Sequence, residues 1–181
     1  TLMLMEELQL DGTEHFGTTL LNVATGYRAA GRLNESLSYY ARALQLYEQL
    51  LPPGDYRFAG LYNNISILLE QLNDNEKAAI FLERALDIID KIPEGASEQA
   101  STRTNLALVK MKLGNMEEAE ALLQDALKRY EALTGETTDA HYSAALAGLA
   151  EVYFKKEEYE KSLSFYEKAA KEVKLHFGEN E

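Results

Sequence analysis

The chain contains no cysteine. That excludes a disulfide framework, a thiolate metal site and a cysteine nucleophile. It contains no tryptophan and only three prolines, Pro52, Pro53 and Pro93. So few breakers favour long helices over many short strands. No apolar run reaches the length of a membrane span, and the start has no signal-peptide pattern. A cytoplasmic location is therefore expected, with no membrane partner. Positive charge is also in deficit, the net charge being −12. Phosphate backbones are bound by Lys and Arg that release counterions, so no nucleic-acid partner is expected, and an anionic lipid surface is disfavoured too. Apolar residues make up 46% of the 181 residues and charged ones 27%, enough to build a core and unlike a disordered chain.

The dominant feature is internal repetition. Laid on itself, the chain aligns Ala43, Ala85, Ala126 and Ala169, at spacings of 42, 41 and 43 residues. A second column holds Ser36, Ala78, Ala119 and Ser162, and a third Ala24, Ser66, Ala107 and Ala150. All twelve positions are small. Two helices approach closely only where side chains are short. Large residues fill neighbouring columns: Val23, Ile65, Leu106 and Leu149 in one, Tyr40, Leu82, Leu123 and Tyr166 in another. Small against large is what close packing of facing helices requires.

Each unit reads as two antiparallel helices. First helices are expected over 17–30, 58–71, 100–112 and 143–155, and second helices over 34–50, 76–91, 117–133 and 159–175. The break between them holds Gly31, Asn73, Gly114 or Glu157. Gly and Asn suit a helix end because they tolerate left-handed backbone. Pro52-Pro53-Gly54, Pro93-Glu94-Gly95 and Thr134-Gly135 stop the second helices.

The small–large–small pattern, the aromatics Tyr27 and Tyr153 and the glycine of the tight turn resemble the tetratricopeptide (TPR) repeat. The usual tryptophan near the repeat start is replaced by Leu20, Tyr62, Arg103 and Leu146, and the period is longer than the common one. That longer period looks like the units of kinesin light chains and similar bacterial proteins. The resemblance implies an all-α fold, a right-handed superhelical solenoid of antiparallel helix pairs. On this reading 1–12 is the end of a preceding repeat, 17–54, 58–95, 99–136 and 141–177 are repeats 1 to 4, and 178–181 starts a linker to a further repeat. Neither end has the polar outer face of a capping unit. An excerpt of a longer array is expected, with self-association through exposed repeat ends as one consequence.

No chemistry converges in the sequence. His15, His141 and His176 lie far apart along the chain, and a solenoid keeps such positions apart, so no metal site is expected. There is no phosphate loop, no HExxH and no nucleophile elbow. The pairs Glu117-Glu118 and Glu157-Glu158 open second helices, where they favour the positive end of the dipole. Neither an enzyme nor a cofactor is expected.

Binding is the remaining class. Asn22, Asn64 and Asn105 share one column of the first helix, with Gly148 in the fourth repeat. Asparagine has modest helix propensity, and its amide offers a donor and an acceptor that match a peptide main chain. The resemblance implies that first helices line a concave groove. Its candidate peptide-binding residues are then Asn22, Thr25 and Arg28; Asn63, Asn64, Ile67 and Gln71; Thr104, Asn105, Leu108 and Lys112; and Glu151. The alternative is an asparagine ladder bonding neighbouring helices. Leu21 and Ser101 stand where the carboxylate clamp of chaperone co-factor TPRs has Lys or Arg, so a chaperone C-terminus is not the expected ligand. The stretches 18–30, 60–72, 101–113 and 144–156 carry +1, −1, +3 and +1, leaving −16 elsewhere. The expected function is a protein-interaction scaffold holding an extended peptide or partner segment. The alternatives are the peptide-sensing module of a bacterial regulator and a structural self-association element.

Overall fold

The computed structural model describes residues 2–7, 12–133 and 140–177. The expected stop at Thr134-Gly135 and the linker at 178–181 lie outside them. Among the described residues there are nine helices and no strand: α1 Leu2–Glu7, α2 Glu14–Ala29, α3 Leu33–Leu50, α4 Tyr56–Gln71, α5 Asn75–Ile89, α6 Ala96–Lys112, α7 Met116–Ala132, α8 Ala140–Lys155 and α9 Tyr159–Phe177. The helices fall into two compact units, residues 1–88 and 89–181.

First helices begin two to four residues before the expected positions. Capping accounts for two of them. The Thr13 hydroxyl accepts from the Phe16 N–H at 3.2 Å, and the Asp55 carboxylate accepts from the Arg57 N–H at 3.0 Å. Each satisfies a donor that the first turn leaves open. The break between helices is built the same way four times. Gly31, Asn73, Gly114 and Glu157 all have positive φ, between 60° and 82°. At each, two amides fold back: Gly31 N–H to Arg28 and Arg32 N–H to Tyr27, then Asn73 to Glu70 and Asp74 to Leu69, Gly114 to Met111 and Asn115 to Lys110, Glu157 to Phe154 and Glu158 to Tyr153. This is the Schellman closure, which satisfies the last carbonyls and reverses the chain.

All twelve small-column residues are buried, ten of them completely. In the first unit, α2 and α3 pack through Ala24, Tyr40 and Ala43. The buried Ser36 hydroxyl donates to the Ala24 carbonyl at 2.8 Å. Gly17 lies under Tyr47, where a Cβ would come within 2.5 Å of the ring. Tyr47 meets Phe58 edge-on at 6.1 Å, Phe58 stacks on Tyr62 at 5.8 Å, and Tyr62 leans on Phe81 at 5.6 Å. This aromatic run carries packing from α3 across α4 to α5.

In the second unit, Leu123, Ala126, Leu127 and Tyr130 of α7 share one buried cluster with Ala145, Leu146, Leu149 and Val152 of α8. Each buried leucine contributes about 2 kcal/mol of transfer free energy. Ser162 repeats the role of Ser36, donating to the Ala150 carbonyl at 2.7 Å. One member of the large columns departs from expectation. Tyr166, aligned with the fully buried Leu123, is 44% exposed.

Candidate functional site

Each unit presents part of its first helices to solvent. In the first unit, Asn22 is exposed on α2, and Asn63, Asn64 and Ile67 are half-buried on α4, with Gln71 exposed at its end. The Asn64 amide donates to the Gly60 carbonyl at 3.0 Å and the Asn63 amide to Ala59 at 3.2 Å, each one turn back along α4. For Asn64 this local bond stands against an inter-helix asparagine ladder: the amide is held on its own helix and not by a neighbour. Thr25 is half-buried and shares a 2.9 Å hydrogen bond with the Tyr40 phenol. Arg28 has its Nε buried and unpartnered, at the C-terminal end of α2.

In the second unit, Asn105 and Leu108 are half-buried on α6, Lys112 is exposed at its end, and Glu151 is half-buried on α8. Thr104 does not belong with them. It has no exposed surface, and its hydroxyl donates to the Ala100 carbonyl at 3.0 Å. The β-branched side chain points into the core and satisfies its polar atom on its own helix. Gly148 also departs from the asparagine column. A Cβ there would meet Leu123 at 3.2 Å and Leu108 at 3.4 Å, so this register is a packing contact between helices in the fourth repeat.

Much of the positive charge counted on the first helices is paired with acid. Lys110 pairs with Glu118 at 2.8 Å, Lys155 with Glu151 at 3.1 Å and Lys156 with Glu120 at 2.6 Å. The bond from Lys156 holds the Glu120 carboxyl below its usual range, and the Tyr153 phenol adds a 3.0 Å hydrogen bond to it. Arg103 is buried at a position where Leu20 and Leu146 stand in other repeats. It forms a two-pronged pair with Asp90, at 2.8 and 2.9 Å, and reaches Asp125 at 2.5 Å. Arg129 closes the network, bonding Asp125 at 3.0 Å and Gln99 at 2.6 Å. Planar guanidinium groups suit such two-pronged contacts. Burial works to raise the Asp125 carboxyl, but the Arg129 bond and the Arg103 charge outweigh it and hold it low.

The column reading missed two features. One is this network, whose only sequence signal is an arginine in an otherwise apolar column. The other is an open cleft of about 450 Å³ on the first unit, bordered by Gly54, Tyr62, Ile80, Arg84 and Ile88. Burial pushes the Tyr62 phenol up there, with Arg84 opposing and Glu48 adding to the rise.

A tetratricopeptide repeat family model matches residues 16–91 and 98–171. Protein KINESIN LIGHT CHAIN-RELATED 3 of Arabidopsis thaliana is 23% identical over 154 residues, which is 84% of this chain and 24% of that protein. KINESIN LIGHT CHAIN-RELATED 1 from the same plant is 24% identical over 116 residues, 64% of this chain and 19% of that protein. The chain thus spans about a quarter or less of the length of these relatives. Among solved structures, BtubC (BKLC) from P. vanneervenii superposes with a TM-score of 0.81 at 20% identity, over 91% of this chain and 66% of that one. A putative kinesin light chain from Podospora anserina, with nearly identical TPR-like repeats, gives 0.80 at 15% identity, over 98% and 84%. At such identities the likeness is one of fold, a helical solenoid. Among the described residues no helix is long and apolar enough to cross a membrane. The repeat defined by twelve small residues is a tetratricopeptide repeat, and the chain belongs to that family of protein-interaction scaffolds.

Proposed function

We propose that the chain binds an extended peptide or partner segment along the open faces of its first helices, and that it acts by binding rather than catalysis. The observation that carries this reading is the surface asparagine set, Asn22, Asn64 and Asn105, at one register of α2, α4 and α6. The Asn64 amide nitrogen already donates to Gly60, and its side-chain carbonyl oxygen is the group offered to an incoming N–H. Asn63, Ile67 and Gln71 flank it on α4, and Leu108 and Lys112 flank Asn105 on α6. Asn22 with Thr25 and Arg28, and Glu151, complete the set. An amide and apolar mixture of this kind reads main chain and shape more than charge. The kinesin light chain-related proteins are similar over the repeats, which supports a scaffold role with a protein partner.

The test is alanine substitution at Asn64 and at Asn105, separately and together, followed by calorimetric titration against a partner recovered by pull-down. Helical content should be unchanged and affinity should fall about tenfold, the loss of one or two net hydrogen bonds. Unchanged affinity in the double variant rules the face out.

A further inference from the structure

The open cleft on the first unit continues into a second pocket of about 220 Å³, and Gly54, Tyr62 and Ile88 border both. Phe58 and Tyr62 come from α4, Leu51 and Pro53 from the turn after α3, and Ile80 and Ile88 from α5. All the walls therefore belong to the first unit, in the middle of the repeat array. Ile80 is 47% exposed and Tyr62 half-buried. A cleft of about 450 Å³ lies within the range of ligand pockets, about 300–1,000 Å³.

The third repeat has the same groove with an arginine in it. Register places Arg103 at Tyr62, Asp90 at Glu48, Asp125 at Arg84 and Arg129 at Ile88. There the Arg103 guanidinium bridges the two sides, pairing with Asp90 at 2.8 Å and with Asp125 at 2.5 Å. In the second repeat the central residue is a phenol, which carries no cation to bridge them. Arg84 has its own guanidinium over the Phe81 ring at 5.6 Å. The charge balance differs accordingly. The third-repeat groove sets Arg103, Lys128 and Arg129 against Asp90 and Asp125. The side chains lining the second-repeat cleft set Arg84 against Glu48, Glu83 and Asp87.

We infer that the second-repeat cleft receives an arginine side chain from a partner protein, in the place that Arg103 fills from within one repeat later. The guanidinium lies against the Tyr62 ring and pairs with Glu48, contacts that a planar cation makes well. Its methylene stem covers Ile80 and Ile88. The surplus of carboxylates around the cleft attracts the charge. This is a second binding surface, built by α3, α4 and α5, and it uses none of the asparagine set.

The probe is the capped peptide acetyl-Gly-Leu-Arg-Leu-Gly-amide, titrated calorimetrically into the 181-residue chain. Saturable binding with a Kd at or below about 1 mM is expected. The same peptide with citrulline for arginine keeps the shape without the charge and should bind about tenfold more weakly. Glu48→Gln, at an exposed site, should weaken the arginine peptide by a similar factor and leave the citrulline peptide unaffected. Tyr62→Arg places a guanidinium beside Glu48 as in the third repeat and should abolish binding, with helical circular dichroism retained. A parent chain that does not bind at millimolar peptide overturns the proposal, as does an E48Q variant that binds like the parent. Equal binding of the arginine and citrulline peptides makes the cleft a purely apolar site and overturns it too. The N64A/N105A variant should bind the probe as the parent does; a loss there, with E48Q unaffected, puts the peptide on the first-helix face and rules the cleft out.

Discussion

At the scale of single residues, the left-handed break positions explain the most with the least. Gly31 and Gly114 adopt positive φ at no steric cost, and Asn73 at a small one. Glu157 adopts φ 62° with a full side chain, which costs about 1 kcal/mol against glycine. Glu157→Gly should therefore raise unfolding stability by about 1 kcal/mol in a urea titration, with no change in helix content. The residue type at 157 does not announce this backbone; only its register with two glycines and an asparagine does. Arg103 shows the opposite limit. Its column marks the position as buried, but its partners, Asp90 in the turn after α5 and Asp125 on α7, are half-exposed sites that no periodicity singles out.

Asp55 supplies a pH-dependent prediction on the same scale. It caps α4 and binds Arg57 with both oxygens, at 2.8 and 2.9 Å, and the Arg57 bonds bring its pKa down to about 2. A carboxyl depressed in the folded state stabilises above its unfolded pKa of about 4, and that contribution disappears as pH falls through the folded value. Asp55→Asn keeps a capping oxygen and removes the charge. The variant should be less stable than the parent at neutral pH, and chemical denaturation at descending pH should show the gap closing between about pH 4 and pH 2.

At the scale of elements, the small columns set how closely paired helices approach. Ala126 on α7 has no exposed surface. Ala126→Leu forces volume into a filled seam and should cost about 1–3 kcal/mol in thermal or denaturant unfolding. The seams were legible because helix packing repeats with the chain and each repeat restates the rule. The large columns were legible for the same reason, except at Tyr166. There the pattern is preserved but the covering helix that α8 provides for α7 has no counterpart among the described residues. Thr104 and Gly148 failed for a related reason. A column fixes a direction around the helix, but neighbouring side chains decide whether that direction is open, and Leu108 and Leu123 close it at Gly148.

At the scale of the whole molecule, four copies of one helix pair give a chain whose stability is spread over repeated seams. Function is left to surfaces that the seams do not use. Sequence periodicity identifies those surfaces by elimination, which is why the fold class was readable and the ligand was not. A main-chain-reading face needs no distinctive side-chain constellation. The charge ledger by itself overstated the basicity of the first helices, because it could not see Lys110 and Lys156 paired with acids of the second helices.

The central claim is that partners are held by the first helices. Calorimetric titration of one identified partner tests it most directly, against the Asn64→Ala/Asn105→Ala variant and against a control with Ser38→Ala/Gln124→Ala on the second helices. The account predicts affinity about tenfold weaker for the asparagine variant and unaltered for the control. Equal binding by both, or a loss confined to the control, would contradict it.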